Sequence, residues 1–348
     1  MKILIIAAHE VLESDEVNML TELGHEVCST GFFLDPENPK TILRGKTKNK
    51  KNSDFIEAFT KENPNYILPC MHPHAGFCDI SLELANKFDI IILQHYHVWL
   101  DINWETISKM KPTLIIRSLG FGVPMVEHYY NLIRHHVPQT KIVRLSERER
   151  MCYNYCGEDI VIPQCYNPND YLEWNGTKEN VLTINKMFKA RAEGCGYEKY
   201  LQVTEPFKEQ RILCGNGNED IPFSKHATFD ELKRYLADSR CYLSTMSKPA
   251  SCVTYAFIEA LCQGIPIVSF GNQTGNSGGE TFGIDKYIQN EVNGFYSDDN
   301  VELQGYIREL LTDHNLAKQI GQKGKEKGLA LFHWDVCKDK WRQILETV

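Results

Sequence analysis

Two stretches of the chain carry residues suited to chemistry on a charged, hydroxyl-bearing ligand. In the first, Lys186, Lys189 and Arg191 follow a predicted strand over Asn180–Ile184. In the second, a polar loop from Ser247 to Thr254 leads into a predicted helix that starts near Tyr255 and carries Glu259. A loop at the carboxyl end of a strand that feeds a helix N-terminus is an anion site. The first N–H groups, here those of Cys252, Val253, Thr254 and Tyr255, lack partners inside the helix and sit at the positive end of its dipole. Glu259, on the early turns of that helix, reaches a hydroxyl beside the anion. A phosphate next to a sugar hydroxyl describes a nucleotide sugar. A diphosphate leaving group is most highly charged as its bond breaks, and without a metal it must be stabilised by cationic side chains and helix N-termini.

These residues need a scaffold, and the hydrophobic pattern supplies one. Phe257, Ile258, Leu261 and Cys262 form the packed face of the helix, Gly264 and Pro266 end it, and Ile267–Phe270 reads as a buried parallel strand. Cys241–Ser244 and Arg211–Cys214 are further strands, the latter running into Gly215, Asn216 and Gly217. Helices are predicted around Phe229–Leu236, over Leu303–Leu311, over Lys318–Lys327, and at the end, where Trp334, Cys337, Trp341, Ile344 and Leu345 recur at helical spacing. The first half shows the same alternation. Lys2–Ala7, a helix over Val17–Leu23, a strand from His25, and short strands at Tyr66–Leu68, Ile90–Leu93, Thr113–Ile116 and Lys141–Leu145 predict βαβ units on a mostly parallel sheet. Pro, Asn and Gly are dense from Pro163 to Gly176, which predicts a linker. The expected organisation is α/β with two doubly wound domains, residues 1–168 and 177–332, and a closing helix over 335–348.

A length of 348 residues suits two domains. A formal net charge of −8 argues against a general nucleic-acid coat protein. The cysteines number 12, with no Cys-x-x-Cys pair, and read as reduced thiols in a cytoplasmic compartment. The apolar run Ile3–Ala8 is too short for a signal peptide, and no stretch approaches the ~20 apolar residues that span a bilayer. Cys70, His72, His74, Cys78 and Asp79 have zinc-ligand chemistry but match no closed-site spacing, so no metal is expected. The basic run Arg44–Lys51 is either a solvated loop or a contact for an anionic acceptor.

The stretch from Ser251 to Val268 resembles the donor-binding motif of GT-B glycosyltransferases, especially glycosyltransferase family 4, with Glu259, Ala260, Gly264, Pro266 and Val268 in place. That resemblance implies two Rossmann-like domains with the reaction in the cleft between them, and a last helix that crosses back to the N-terminal domain. It implies a UDP- or GDP-linked sugar donor and no cofactor. Glu259 would hold the ribose, Lys186 and Arg191 the diphosphate with Lys189 as a third candidate, and Gly215–Gly217 the base. The loop Gly275–Glu280 would approach the donor sugar.

The chain departs from the family pattern where the family's first glutamate falls on Ser251, with Cys252 and Thr254 in place of glycines. Phage DNA glucosyltransferases share such a threonine-bearing turn. α-Retaining relatives often carry a histidine where this chain has Arg117 and Ser118. The catalytic candidates are therefore His95, His97, Asp101 and Ser118, while His9, His72 and Arg117 are candidates to bind the acceptor. The acceptor implied is a glycan or lipid hydroxyl. Two rivals remain: a glucosyltransferase acting on a hydroxymethylated base of DNA, and a GT-B-shaped binding protein without catalysis.

Overall fold

The computed structural model describes residues 1–7, 9–29, 61, 80–94, 102–119, 124–157, 159–245, 253–271 and 283–348. The chain divides into two compact units, Met1–Gln164 with Cys337–Val348, and Cys165–Val336. Among the described residues, each is built on a six-stranded parallel sheet; the predicted strand Tyr66–Leu68 lies outside them.

The first sheet runs β2 (Glu26–Ser29), β1 (Lys2–Ile6), β3 (Ile90–Leu93), β4 (Thr113–Arg117), β5 (Lys141–Arg144), β6 (Asp159–Val161). Its strands are near-continuous Ile, Leu and Val because both faces are covered. Helix α1 spans Glu10–Glu22, starting earlier than the predicted Val17 because His9 caps it, with Nδ1 accepting from Leu12 N at 3.3 Å. Helix α2 spans Pro124–His136.

The second sheet runs β12 (Phe295–Ser297), β11 (Ile267–Phe270), β10 (Ser239–Ser244), β7 (Lys178–Ile184), β8 (Arg211–Cys214), β9 (Ser224–Lys225). Alternate residues serve opposite faces. Leu182, Ile212, Tyr242 and Ile267 pack into one core, whereas Val181, Leu213, Leu243 and Val268 pack into the other. Three helices of this unit are needed below: α3 (Phe229–Asp238), α4 (Tyr255–Gln263) and α5 (His314–Phe332). Helix α5 is longer than the predicted Lys318–Lys327 because Asp313 caps it upstream, accepting from Leu316 N at 2.9 Å. The last helix, α6 (Trp334–Leu345), starts in the second unit and ends among the residues of the first.

Candidate functional site

In the second unit the chain winds outward from β7 through β8 to β9, then returns to the other side of β7 to form β10. The order of winding reverses between β7 and β10. Loops leaving the carboxyl ends of two such strands diverge and leave a crevice, the usual ligand position on an open α/β sheet. Asn185 follows β7 and Thr245 follows β10, and they meet at this point, Asn185 Nδ2 donating to Thr245 Oγ1 at 3.2 Å.

The loop after β7 carries the predicted cations. Lys186, Lys189 and Arg191 are exposed, and Phe188 between them is fully buried with its ring 5.1 Å from Tyr197 and from Tyr200. One buried ring therefore holds a loop whose charges face outward. Arg191 Nη1 lies 3.5 Å from the Lys186 backbone carbonyl, within the same loop. Lys189 instead pairs with Asp220 at 3.3 Å, with both side chains more than half exposed.

The neighbouring loop after β8 is locked to the first. Met187 N donates to the Asn216 carbonyl at 2.8 Å. Gly215 has φ +139°, and a Cβ there would lie 2.0 Å from the Asn185 carbonyl oxygen; Gly217 has φ +77° against Met187. Gly215 needs glycine for close approach as well as for conformation, and Gly217 needs it for its φ. Asn218, 1% exposed, completes the lock. Its Nδ2 donates to the carbonyls of Asn185 and Gly215 at 2.6 and 3.0 Å, and its Oδ1 accepts from Phe188 N at 2.7 Å. Sequence reasoning passed over Asn218, although an asparagine right after Gly215–Gly217 was the available signal.

Thr254 caps α4, its Oγ1 accepting from Phe257 N at 3.3 Å. Val253 is buried in the core, which leaves its backbone as the part able to meet a ligand. Tyr255 is half-buried. Glu259 is 6% exposed, and its Oε1 accepts from the Tyr171 hydroxyl at 2.7 Å. Ser251, Cys252 and the loop Gly275–Glu280 lie outside the described residues, as do His72, His95, His97, Asp101, the run Arg44–Lys51 and the Cys70–Asp79 group.

In the first unit Arg117 and Ser118, the acceptor-binding and catalytic candidates, are held by internal partners. Both are 1% exposed. Arg117 Nε donates to Glu16 Oε1 at 2.5 Å and Nη1 to the Arg144 carbonyl at 3.0 Å, so its charge serves an internal carboxylate. Ser118 Oγ accepts from Leu145 N at 3.2 Å, joining the ends of β4 and β5. His9 is engaged in capping α1.

These contacts belong to a buried polar layer that the sequence reading missed. Glu13, Ser14, Asp15 and Glu16 are 1–3% exposed, Ser29 Oγ donates to Glu13, and Gln94 Nε2 donates to Glu16 Oε2 at 2.7 Å. The signal was their phase: Glu13 and Glu16 share a helical stripe with Val17 and Leu20. Burial pushes the Glu16 carboxyl above its ordinary range, although Arg117 and Gln94 pull the other way. At the end of β5, Arg144 is fully buried between Glu127, at 2.6 and 2.8 Å, and Asp159. Burial opposes its charge, but these two carboxylates outweigh burial and raise its pKa.

No family model and no curated protein matches the sequence. Solved structures do. The chain superposes on sucrose-phosphate synthase from Thermosynechococcus elongatus with a TM-score of 0.65 at 14% identity, covering 100% of this chain and 98% of that one. It superposes on HepE from Anabaena, a structure in complex with UDP-glucose, with a TM-score of 0.67 at 14% identity over 100% of both chains. A glycosyltransferase from Rickettsia africae gives 0.64 at 14% identity, covering 99% of this chain and 97% of that one. The fold is GT-B. At these identities the likeness is one of architecture, and it extends over both units of the GT-B chain. Among the described residues, no helix is long and apolar enough to cross a membrane.

Proposed function

We propose that this GT-B protein is a glycosyltransferase that moves a sugar from a nucleoside-diphosphate donor to an acceptor hydroxyl. The observation that carries the reading is the convergence at the winding reversal of the second sheet. Two exposed cationic residues of one loop, Lys186 and Arg191, follow β7, a capped helix N-terminus follows β10, and Glu259 lies on that helix. The acceptor oxygen bonds to the anomeric carbon and its proton is released, leaving a glycoside, a nucleoside diphosphate and a proton. As the bond from the anomeric carbon to the diphosphate oxygen breaks, its electron pair passes to the diphosphate. Lys186, Arg191 and the α4 N-terminus stabilise that charge, which is the service a metal ion gives in other sugar transferases. Glu259 accepts from the ribose, and the Gly215–Gly217 turn faces the base. The UDP-glucose bound by HepE, a neighbour over the whole chain, favours a UDP-linked donor. The described cysteines are all free thiols, which suits a reducing, cytoplasmic setting.

The test is calorimetry with UDP-, GDP- and ADP-linked sugars on the wild type, Arg191→Ala and Glu259→Ala. One donor should bind the wild type and weaken at least about tenfold in each variant, the scale of a lost hydrogen bond to a charged group. Unchanged donor affinity in both variants would sink the assignment.

A further inference from the structure

Tyr171 lies on the segment that leads from Cys165 towards β7, distant in sequence from the helix whose carboxylate it meets. Its hydroxyl donates to Glu259 Oε1 at 2.7 Å. The ring is fixed on two sides. It stacks on Tyr166 with centroids 4.6 Å apart and planes 21° apart, and it meets Phe229, at the start of α3, edge-on at 5.9 Å. Tyr166 is itself 3% exposed and bonded through its backbone, its N–H donating to the Phe332 carbonyl at 2.7 Å and its carbonyl accepting from Trp334 N at 2.9 Å. The next residue along, Leu172, has its carbonyl bonded by Gln263 Nε2 at 2.5 Å. Glu259 and Gln263 are one turn apart on α4, so the segment is fastened to that helix at two successive turns.

We infer that Tyr171 is a positioning residue for Glu259, fixing the plane of the carboxylate so that it meets the donor ribose pre-aligned. This rests on the reading of Glu259 as the ribose ligand. An ionised carboxylate accepts at about four lone-pair positions, so a bond from Tyr171 sets its orientation and still allows it to accept from a sugar hydroxyl. A carboxylate held before binding loses less rotational freedom when the ligand arrives, and that saving appears as affinity. The stack on Tyr166 supplies the rigidity, because a tyrosine that swung freely would orient nothing.

Tyr171→Phe keeps the ring and removes only the hydroxyl. The experiment measures by calorimetry the affinity of wild type, Tyr171→Phe, Glu259→Gln and the double variant for UDP, GDP and ADP. The nucleotide that binds is then compared with its 2′-deoxy and 3′-deoxy counterparts. The wild type should prefer the ribonucleotide. Tyr171→Phe should weaken the ribonucleotide about tenfold while leaving a deoxy form nearly unchanged. The double variant should bind no more weakly than Glu259→Gln, since both act through one carboxylate. Equal weakening of ribo and deoxy forms overturns the inference, as does tighter ribonucleotide binding, which would make the hydroxyl a competitor to be displaced. Loss of ribose preference in Glu259→Gln but not in Tyr171→Phe removes this inference alone. A wild type that binds none of the three nucleotides removes the donor-site reading as well.

Discussion

Asn218 donates from Nδ2 to the carbonyl of Asn185 at 2.6 Å, across the ends of two adjacent strands. Asn185 is the residue before Lys186, so this bond and its partner to Phe188 N hold the backbone on both sides of the first cation. The cations themselves are long and exposed; their placement comes from the backbone beneath them. An amide suits the position because it donates to two carbonyls and accepts from one N–H. Aspartate at 218 would keep the acceptor and lose both donations. Asn218→Asp should therefore destabilise the fold by about 1–3 kcal/mol, the cost of leaving buried acceptors unmet. It should also weaken the donor diphosphate more than it weakens the nucleoside alone. Thermal melts and calorimetry with UDP and uridine check the two halves separately.

Gly215 offers a sharper probe of the same contact. Its Cβ would collide with the Asn185 carbonyl, a backbone atom that cannot swing aside, at a φ that side chains rarely adopt. Gly215→Ala should lower stability by about 1–3 kcal/mol or more. Gly305, in the helix Asn300–Thr312, has open space around its Cα, and Gly305→Ala should be neutral or stabilising by up to about 1 kcal/mol. Urea unfolding of the pair checks both. Similar midpoints for the two variants would mean that the loop after β8 adapts without loss.

The main strands of both units were legible in the sequence; the second unit also carries local signals at its loops. Its strands and α4 are framed by local signals: Gly264 and Pro266 after a packed helical face, and Gly215–Gly217 after a strand. The first unit keeps its polar groups inside. Arg117 and Ser118 stand at a strand end, where a sequence suggests exposure to ligand, yet each is bonded to residues remote in the chain, Glu16 in one case and Leu145 in the other. A pairing across that separation leaves no local pattern. Glu13 and Glu16 share the stripe of Val17 and Leu20, but nothing local in the sequence shows that Arg117, Gln94 and Ser29 meet them.

Arg144 tests how far that buried charge is structural. Its fork takes Glu127 with two nitrogens, while Nε takes Asp159. A lysine is a single point charge that cannot reproduce this geometry. Arg144→Lys should cost about 3–5 kcal/mol, as for a buried pair broken on one side. Replacing Lys109, whose partner Glu105 is exposed, with alanine should cost under about 1 kcal/mol. Differential scanning calorimetry compares the two. Equal shifts would show that the Arg144 cluster relaxes or hydrates when disturbed.

Glu149 gives the last prediction, on pH. Its Oε1 accepts from Leu145 N at 2.8 Å and Ser146 N at 3.1 Å, yet burial outweighs these bonds and the nearby Arg144 and raises its pKa. A carboxyl raised in the folded state keeps a proton there that the unfolded chain has released. Between the ordinary value near 4.5 and the raised folded value, the unfolded state binds fewer protons. The group's contribution to stability is then fully present below that window and falls as pH rises through it. Glutamine at this position cannot titrate, so Glu149→Gln should lose that slope. Relative to wild type, the variant should gain stability as pH is raised from 4.5, then level off once the folded carboxyl is ionised. Urea midpoints measured for both proteins across that range decide it: a difference that stays constant with pH, or that moves against the variant, would mean that the bonds from Leu145 and Ser146 outweigh burial.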